Sequence, residues 1–219
     1  MPGSRGVPGS AVGIELVRTN GVFTLDGQSF DVENNIWLVG DDQEVLVIDA
    51  AHEAGPIAEG IAGRRVVAVV CTHGHNDHIN AALDLAAAAG GPPIALHDDD
   101  RMLWEQVHGG RNPDLSLKDG QTLEVGGATL SVLHTPGHSP GGVCLHLASQ
   151  GVLFSGDTLF NGGPGATGRS FSDFPTIIDS IRTKLLPLPP ETVVHTGHGD
   201  STTIGDEALH LDEWIARGR

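Results

Sequence analysis

The stretch Thr72-His73-Gly74-His75-Asn76-Asp77-His78 gathers three imidazoles and a carboxylate within seven residues. In extended chain, residues two apart point the same way, so His73 and His75 can grip one cation while Asp77 and His78, just beyond, face a second. The sequence on either side dictates where this group sits. Val66-Val67-Ala68-Val69-Val70 is a continuous apolar run of the kind a buried strand makes, and residues 79–89, rich in Ala and Leu, predict a helix ended by Gly90-Gly91-Pro92. The group therefore lies at a strand-to-helix corner.

The same arrangement recurs along the chain. An apolar run ends and a His or Asp follows, often beside Gly, at Asp49, His73, His134, Asp157 and His198. Loops at the ends of a rigid sheet are where a scaffold fixes geometry while leaving side chains accessible. Short strands are expected at residues 11–18, 22–25, 29–32, 35–39 and 44–48, with Asp26-Gly27 as a hairpin turn. Helix 54–62 and strand 66–71 follow. Further strands are expected at 94–96, 122–125, 128–133, 143–147, 152–154 and 192–194, and helices at 98–107, 173–186 and 206–216. Pro175 falls in the first turn of the second of these helices, and Thr203 and Asp206 are spaced as a capping box for the third. Asp98-Asp99-Asp100 is accounted for by the positive end of a helix dipole, without a functional role. This α/β (α+β) pattern points to two sheets face to face, covered outside by helices. Residues 1–10, Gly-, Pro- and Ser-rich, read as a flexible segment ahead of a single domain over 11–219.

Composition narrows the function. With 12 Lys and Arg against 28 Asp and Glu, the formal net charge is -16, which argues against a nucleic-acid partner, because that affinity comes mainly from clustered cations. An acidic membrane surface is disfavoured for the same reason. No apolar run approaches a membrane span, and the first ten residues lack the apolar core of a signal peptide, so a cytoplasmic location is expected. Cys71 and Cys144 lie in or beside apolar runs with no Cys-x-x-Cys pair, as reduced core thiols do.

His73-Gly74-His75-Asn76-Asp77-His78 resembles the HxHxDH signature of the metallo-β-lactamase superfamily. His134 in His-Thr-Pro-Gly-His, Asp157 in Ser-Gly-Asp-Thr-Leu-Phe and His198 in Thr-Gly-His-Gly are similar to its later motifs, in order. The resemblance covers roughly Val22 to Glu207 and implies the four-layer αββα sandwich. Within the superfamily these motifs look most like the glyoxalase II-like thioesterases. The resemblance further implies that His73, His75 and His134 bind one metal, that Asp77, His78 and His198 bind a second, and that Asp157 bridges them. Asp49 resembles the family's strand-end aspartate, hydrogen-bonded behind the ligands. His138 and His195, each close to a ligand in sequence, are expected in the same supporting role.

Neutral imidazoles and carboxylates without thiolates suit Zn(II) foremost, with Fe(II) or Mn(II) as alternatives. A solvent molecule between two such ions is acidified from near 15.7 towards about 7, giving a bridging hydroxide that Asp77 could orient. A small-molecule thioester is an apt substrate, since its thiolate, from a thiol of pKa about 8.5, leaves without obligatory protonation. The expected activity is therefore hydrolysis of acyl or formyl conjugates of a low-molecular-weight thiol. A mononuclear Fe(II) persulfide dioxygenase-like enzyme is the competing reaction class, and a non-enzymatic metal-binding protein the competing non-catalytic one. The sequence leaves homo-oligomerisation open. Glyoxalase II proper carries a C-terminal helical extension for the glutathione moiety, whereas only residues 199–219 follow the last ligand here. The loop from Asn161 to Phe174 resembles an expanded form of the family's shorter Gly-Arg-x-Asp-Phe segment. Asn161 and Arg169 are candidates for substrate contact, with a salt bridge to Asp173 as the other reading of Arg169. His52 and His97 either border the pocket or are ordinary, partly buried histidines.

Overall fold

The computed structural model describes residues 11–218, so the flexible segment expected over 1–10 lies outside the described residues. The chain begins with a long antiparallel hairpin, β1 (Gly13–Leu25) and β2 (Gln28–Gly40). Asp26 and Gly27 turn it with φ of 54° and 72°, the left-handed pair that a two-residue hairpin turn of matching twist requires. Four short strands were expected here, and the structure has two long ones. Asn20, Gly21, Glu33 and Asn34 are poor strand formers, but cross-strand pairing of Asn20 with Glu33 and Gly21 with Val32 carries the ladder through them.

β3 (Glu44–Ile48), α1 (Ala54–Ile61), β4 (Arg65–Val70), α2 (Asn76–Ile79), α3 (Ala82–Ala88), β5 (Ile94–His97), α4 (Arg101–His108) and β6 (Leu115–Leu117) complete the first half. Its strands form one sheet in the order β1-β2-β3-β4-β5-β6, parallel from β3 onward. The helix expected over 79–89 is α3, shortened at its start, with Ile79 ending the one-turn α2 ahead of it. The ladder breaks between the two where the Asn80 side chain bonds the His52 backbone and Ala81 donates its N–H to the carbonyl of Ala50. The short strand β6 falls in a stretch with no strand pattern of its own.

The second half is built from β7 (Thr122–Val125), β8 (Ala128–His134), β9 (Val143–Leu147), β10 (Val152–Gly156), the ribbon β11 (Leu159–Phe160) and β12 (Gly163–Pro164), α5 (Phe174–Ser180), β13 (Val193–Thr196), β14 (Thr202–Thr203), α6 (Ile204–Ala208) and α7 (Leu211–Arg217). Its main sheet runs β14-β13-β10-β9-β8-β7. Asp173 caps α5 by accepting from the N–H of Thr176, with Pro175 in the first turn, and Thr203 caps α6 through the N–H of Asp206.

Alternation along the strands assigns the layers. In β2, Trp37 and Val39 face the second sheet, meeting Phe154 and Leu145, while Ile36 and Leu38 face α1 and α3. On the far side Ile177, Ile181 and Trp214 cover the second sheet. Each fully buried Leu, Ile or Phe contributes about 1.5–3 kcal/mol relative to exposure, and three such clusters weld four layers into an αββα sandwich. Among the described residues no helix is long and apolar enough to cross a membrane.

Candidate metal centre

The strand-end residues meet at one edge of the sandwich, where two sets of ligand-type atoms sit side by side. In the first, Nδ1 of His75 lies 3.0 Å from Nε2 of His73 and 3.0 Å from Nε2 of His138. In the second, Asp77, His78 and His198 converge, with Nε2 of His78 and His198 3.1 Å apart and Nε2 of His198 3.3 Å from the Asp77 carboxylate. Asp157 stands between them. One of its oxygens lies 3.5 Å from Nε2 of His138 and 3.5 Å from Nε2 of His198, and the other lies 3.4 Å from Nε2 of His78.

The outward nitrogens explain why the inward ones are available. Nδ1 of His198 donates to the carbonyl of Glu33, Nδ1 of His138 to that of Ala166, and Nδ1 of His78 to Asp49. Asp49 also accepts from the backbone N–H and hydroxyl of Thr72, so that hydroxyl's remaining role is to accept from Nδ1 of His73. In each case the outward N–H leaves Nε2 as the nitrogen aimed into the site, the arrangement that metal-ligating histidines show. Asp49 thus lies behind these rings, hydrogen-bonded to His78 and Thr72. It follows β3 with φ 60°, a conformation that costs a side-chain-bearing residue about 1–3 kcal/mol.

The donor set fits divalent metal. Oδ1 of Asp77 and Oδ1 of Asp157 are buried without a hydrogen-bond partner, a costly state for polar atoms unless something else satisfies them. Burial, reinforced by His78 and His75, holds His73 well below the ordinary imidazole range, and burial with His138 takes His75 to about 3. These rings are neutral and offer lone pairs. Around the second set burial opposes charge, but Asp157 and Asp77 outweigh it, pushing His78 well up and His198 to about 10. The carboxylates there draw positive charge to themselves.

For His134, His138, His195, Arg169 and Asn161 the structure differs from the expectation. His134 ends β8 at the sheet edge, where its ring stacks on His97 at 4.0 Å and its Nε2 donates to the carbonyl of Pro140. The turn Thr135-Pro136-Gly137, with Gly137 at φ 134°, carries the chain four residues further before an imidazole reaches the centre, and that imidazole is His138. A Cβ on Gly137 would run into the backbone of Ile177. His195 bonds Ser201 and stacks on Trp37 at 4.1 Å, so it packs the inter-sheet core and supports no ligand directly. Arg169 meets neither Asp173 nor the centre. Its guanidinium lies 4.8 Å over the Phe30 ring and bonds Gln28, while the N–H of Ser170 bonds Asp26, tying the 161–173 loop to the hairpin tip. Asn161 is exposed, and its neighbour Phe160 faces the centre instead.

Other residues escaped the sequence reading. Asp100 is fully buried, and its carboxylate accepts from the N–H of Gly74 at 2.8 Å, the hydroxyl of Ser139 at 2.7 Å and the N–H of Gly141 at 2.6 Å. It thereby ties the loop of His73 and His75 to the loop of His138. The signal was present in the helical phase, since Asp100 shares the face of buried Leu103 and Trp104 at i+3 and i+4. Asn35 donates to the carbonyls of Thr196 and Gly199 and so holds the His198 loop. It read as the first residue of a strand, and its role depends on a contact 161 residues away that no local pattern shows.

A cleft of about 360 Å³ opens over the centre, walled by Phe23 and Val32 of the hairpin, Phe160 and Ala166 of the opposite loop, and Glu33. Phe23 sits edge-on to His75 at 5.3 Å, and Phe160 lies 6.2 Å from His198.

Residues 30–198 match the metallo-beta-lactamase superfamily, and the chain belongs to it. It is 36% identical over 190 residues to the hydroxyacylglutathione hydrolase GloC of Haemophilus influenzae, covering 80% of this chain and 90% of that protein. Among solved structures it is similar to the B3 metallo-beta-lactamase BLEG-1, with TM-score 0.75 and 31% identity over 88% of this chain and 98% of that one. It is also similar to TTHA1623 in a di-iron-bound form, with TM-score 0.70 and 34% identity over 81% and 93% of the two chains. The fold and the glyoxalase II-like relationship expected from the motifs both hold.

Proposed function

We propose that the protein is a dinuclear metal-dependent hydrolase that cleaves acyl or formyl thioesters of a low-molecular-weight thiol. The observation that carries this reading is the pair of ligand sets sharing Asp157 at the floor of an apolar cleft. His73, His75 and His138 would hold one divalent ion, Asp77, His78 and His198 the other, and Asp157 both. Bound there, such ions supply Lewis acidity towards water and towards a carbonyl oxygen. The relationship to hydroxyacylglutathione hydrolases supports a thioester substrate, and TTHA1623 shows that a relative can hold two irons, so Zn(II) and Fe(II) are both candidates.

The chain's own residues do the rest. Phe23, Val32 and Phe160 pack the methylenes of an acyl group or thiol and exclude water from around the reacting carbonyl. The free oxygen of Asp77 orients an attacking water. A thiolate leaving group needs no proton donor, and the cleft presents none beyond its histidines. With Arg169 engaged at Phe30 and Gln28, a carboxylate on the substrate finds no guanidinium from that loop. The mononuclear persulfide dioxygenase reading is less favoured because the second set, Asp77, His78 and His198, is complete. Asp157→Ala is expected to abolish dinuclear metal binding and thioester hydrolysis together. Hydrolysis that survives this change at the wild-type rate would refute the reading.

A further inference from the structure

Behind the second metal position lies a chain of side chains whose hydrogen-bond orientation can be deduced from one backbone group. The N–H of His52 can only donate, and it does so to Oδ1 of Asn80 at 2.6 Å. That contact fixes the Asn80 amide with its NH₂ towards Nδ1 of His52, 3.3 Å away. Nδ1 must therefore accept, and the ring proton is on Nε2. Nε2 lies 2.8 Å from Oδ1 of Asn34, to which it donates. The Asn34 amide is fixed in turn, and its NH₂ faces the metal centre, 3.3 Å from Oδ2 of Asp77, 3.3 Å from Nε2 of His78 and 3.5 Å from Nε2 of His198.

We infer that Asn80, His52 and Asn34 form a directional hydrogen-bond relay that positions Asp77 for the second metal ion, with His52 held as its Nε2–H tautomer. The inference rests on the reading of Asp77, His78 and His198 as that ion's ligands. The relay's effect is to fix the carboxylate through Oδ2, the oxygen that lies 3.3 Å from Nε2 of His198 and 3.6 Å from Nε2 of His78 and accepts from the Asn34 amide, while Oδ1 is buried with no hydrogen-bond partner. Asn34 is itself fully buried, so it acts through Asp77 and does not reach substrate.

Two further observations show that the chain is built around this relay. His52 sits at φ 59°, a left-handed conformation that a β-carbon disfavours, and this sharp turn brings both its N–H and its ring to Asn80. Gly21, on the neighbouring strand β1, lies against the His52 ring, and any Cβ there would collide with it. A residue larger than glycine would displace the imidazole.

The relay is tested in two measurements. In wild-type protein labelled with ¹⁵N at histidine, long-range ¹H–¹⁵N correlation at neutral pH should show Nδ1 of His52 bare and Nε2 protonated. The opposite tautomer or a doubly protonated ring would overturn the inference without any variant having to fold. Removal of metal by a graded chelator series then compares wild type with His52→Leu and His52→Gln. The Leu variant should hold one of the two ions about 10–100-fold more weakly, the range typical of lost outer hydrogen bonds, with the other ion unaffected. Gln, whose amide can still donate to Asn34, should restore most of the loss. Equal weakening of both ions in His52→Leu, or no weakening, would contradict the relay. Absence of thioester turnover in wild-type protein that holds two ions would refute the proposed substrate class and leave this result intact.

Discussion

Of the two histidines in the segment His134-Thr135-Pro136-Gly137-His138 it is His138 that reaches the centre, and the difference is one of position on the strand. A residue that ends a strand stays in the plane of its sheet, as His134 does against His97 and Pro140. A residue beyond a Pro-Gly turn is free to cross to the centre, as His138 does, 3.0 Å from Nδ1 of His75. His138→Ala should therefore lower bound metal towards one ion per chain and cut thioester kcat/KM by at least about 100-fold, equivalent to about 2.7 kcal/mol of lost transition-state stabilisation. His134→Ala should keep its metal complement, measured by elemental analysis of both proteins prepared side by side. The reverse pattern would restore His134 as the ligand. At this scale the sequence was informative wherever spacing alone fixes direction: His73, His75, Asp77 and His78 are where a strand-to-helix corner must put them. It was silent on Asn34 and Asn35, whose partners lie far away in the chain.

Among the elements, the long hairpin does the most to shape the cleft. Its tip carries Phe23 to the first metal position, and its lower part carries Val32, Glu33 and Asn34 to the second. It is held from two sides. Asn76, in the ligand loop, donates to the carbonyl of Val22 and accepts from the N–H of Thr24, while the 161–173 loop clasps the tip through Arg169 and Ser170. Most of these bonds are exposed, and the cation–π contact is worth only about 0.5–1 kcal/mol. The clasp therefore sets the width of the cleft without contributing much to global stability. Arg169→Ala should leave the metal content and, within about 1 kcal/mol, the stability unchanged, while raising KM for a small acyl thioester and leaving kcat within about twofold. A large loss of kcat with KM unchanged would mean that Arg169 acts on the reaction itself. The merging of four expected strands into this hairpin shows why it was hard to read. Three residues at its breaks in propensity, Gly21, Glu33 and Asn34, are given over to His52 and the centre.

At the scale of the whole molecule, two sheets packed through Trp37, Ile48, Leu145 and Phe154 bring strand ends from residue 49 to residue 198 to one edge. Continuous apolar runs made both sheets legible in the sequence, because strands buried on both faces carry such runs. The layer order followed from the same runs, whereas the helix breaks did not, since they arise from tertiary bonds such as that of Asn80 to His52. The measurement that bears most directly on the central claim is the metal content of protein purified without added metal, taken with turnover of a small thioester panel in the same preparation. About two ions per chain together with thioester hydrolysis is the predicted result. A single iron, oxygen uptake with a thiol persulfide and no thioester turnover would contradict it.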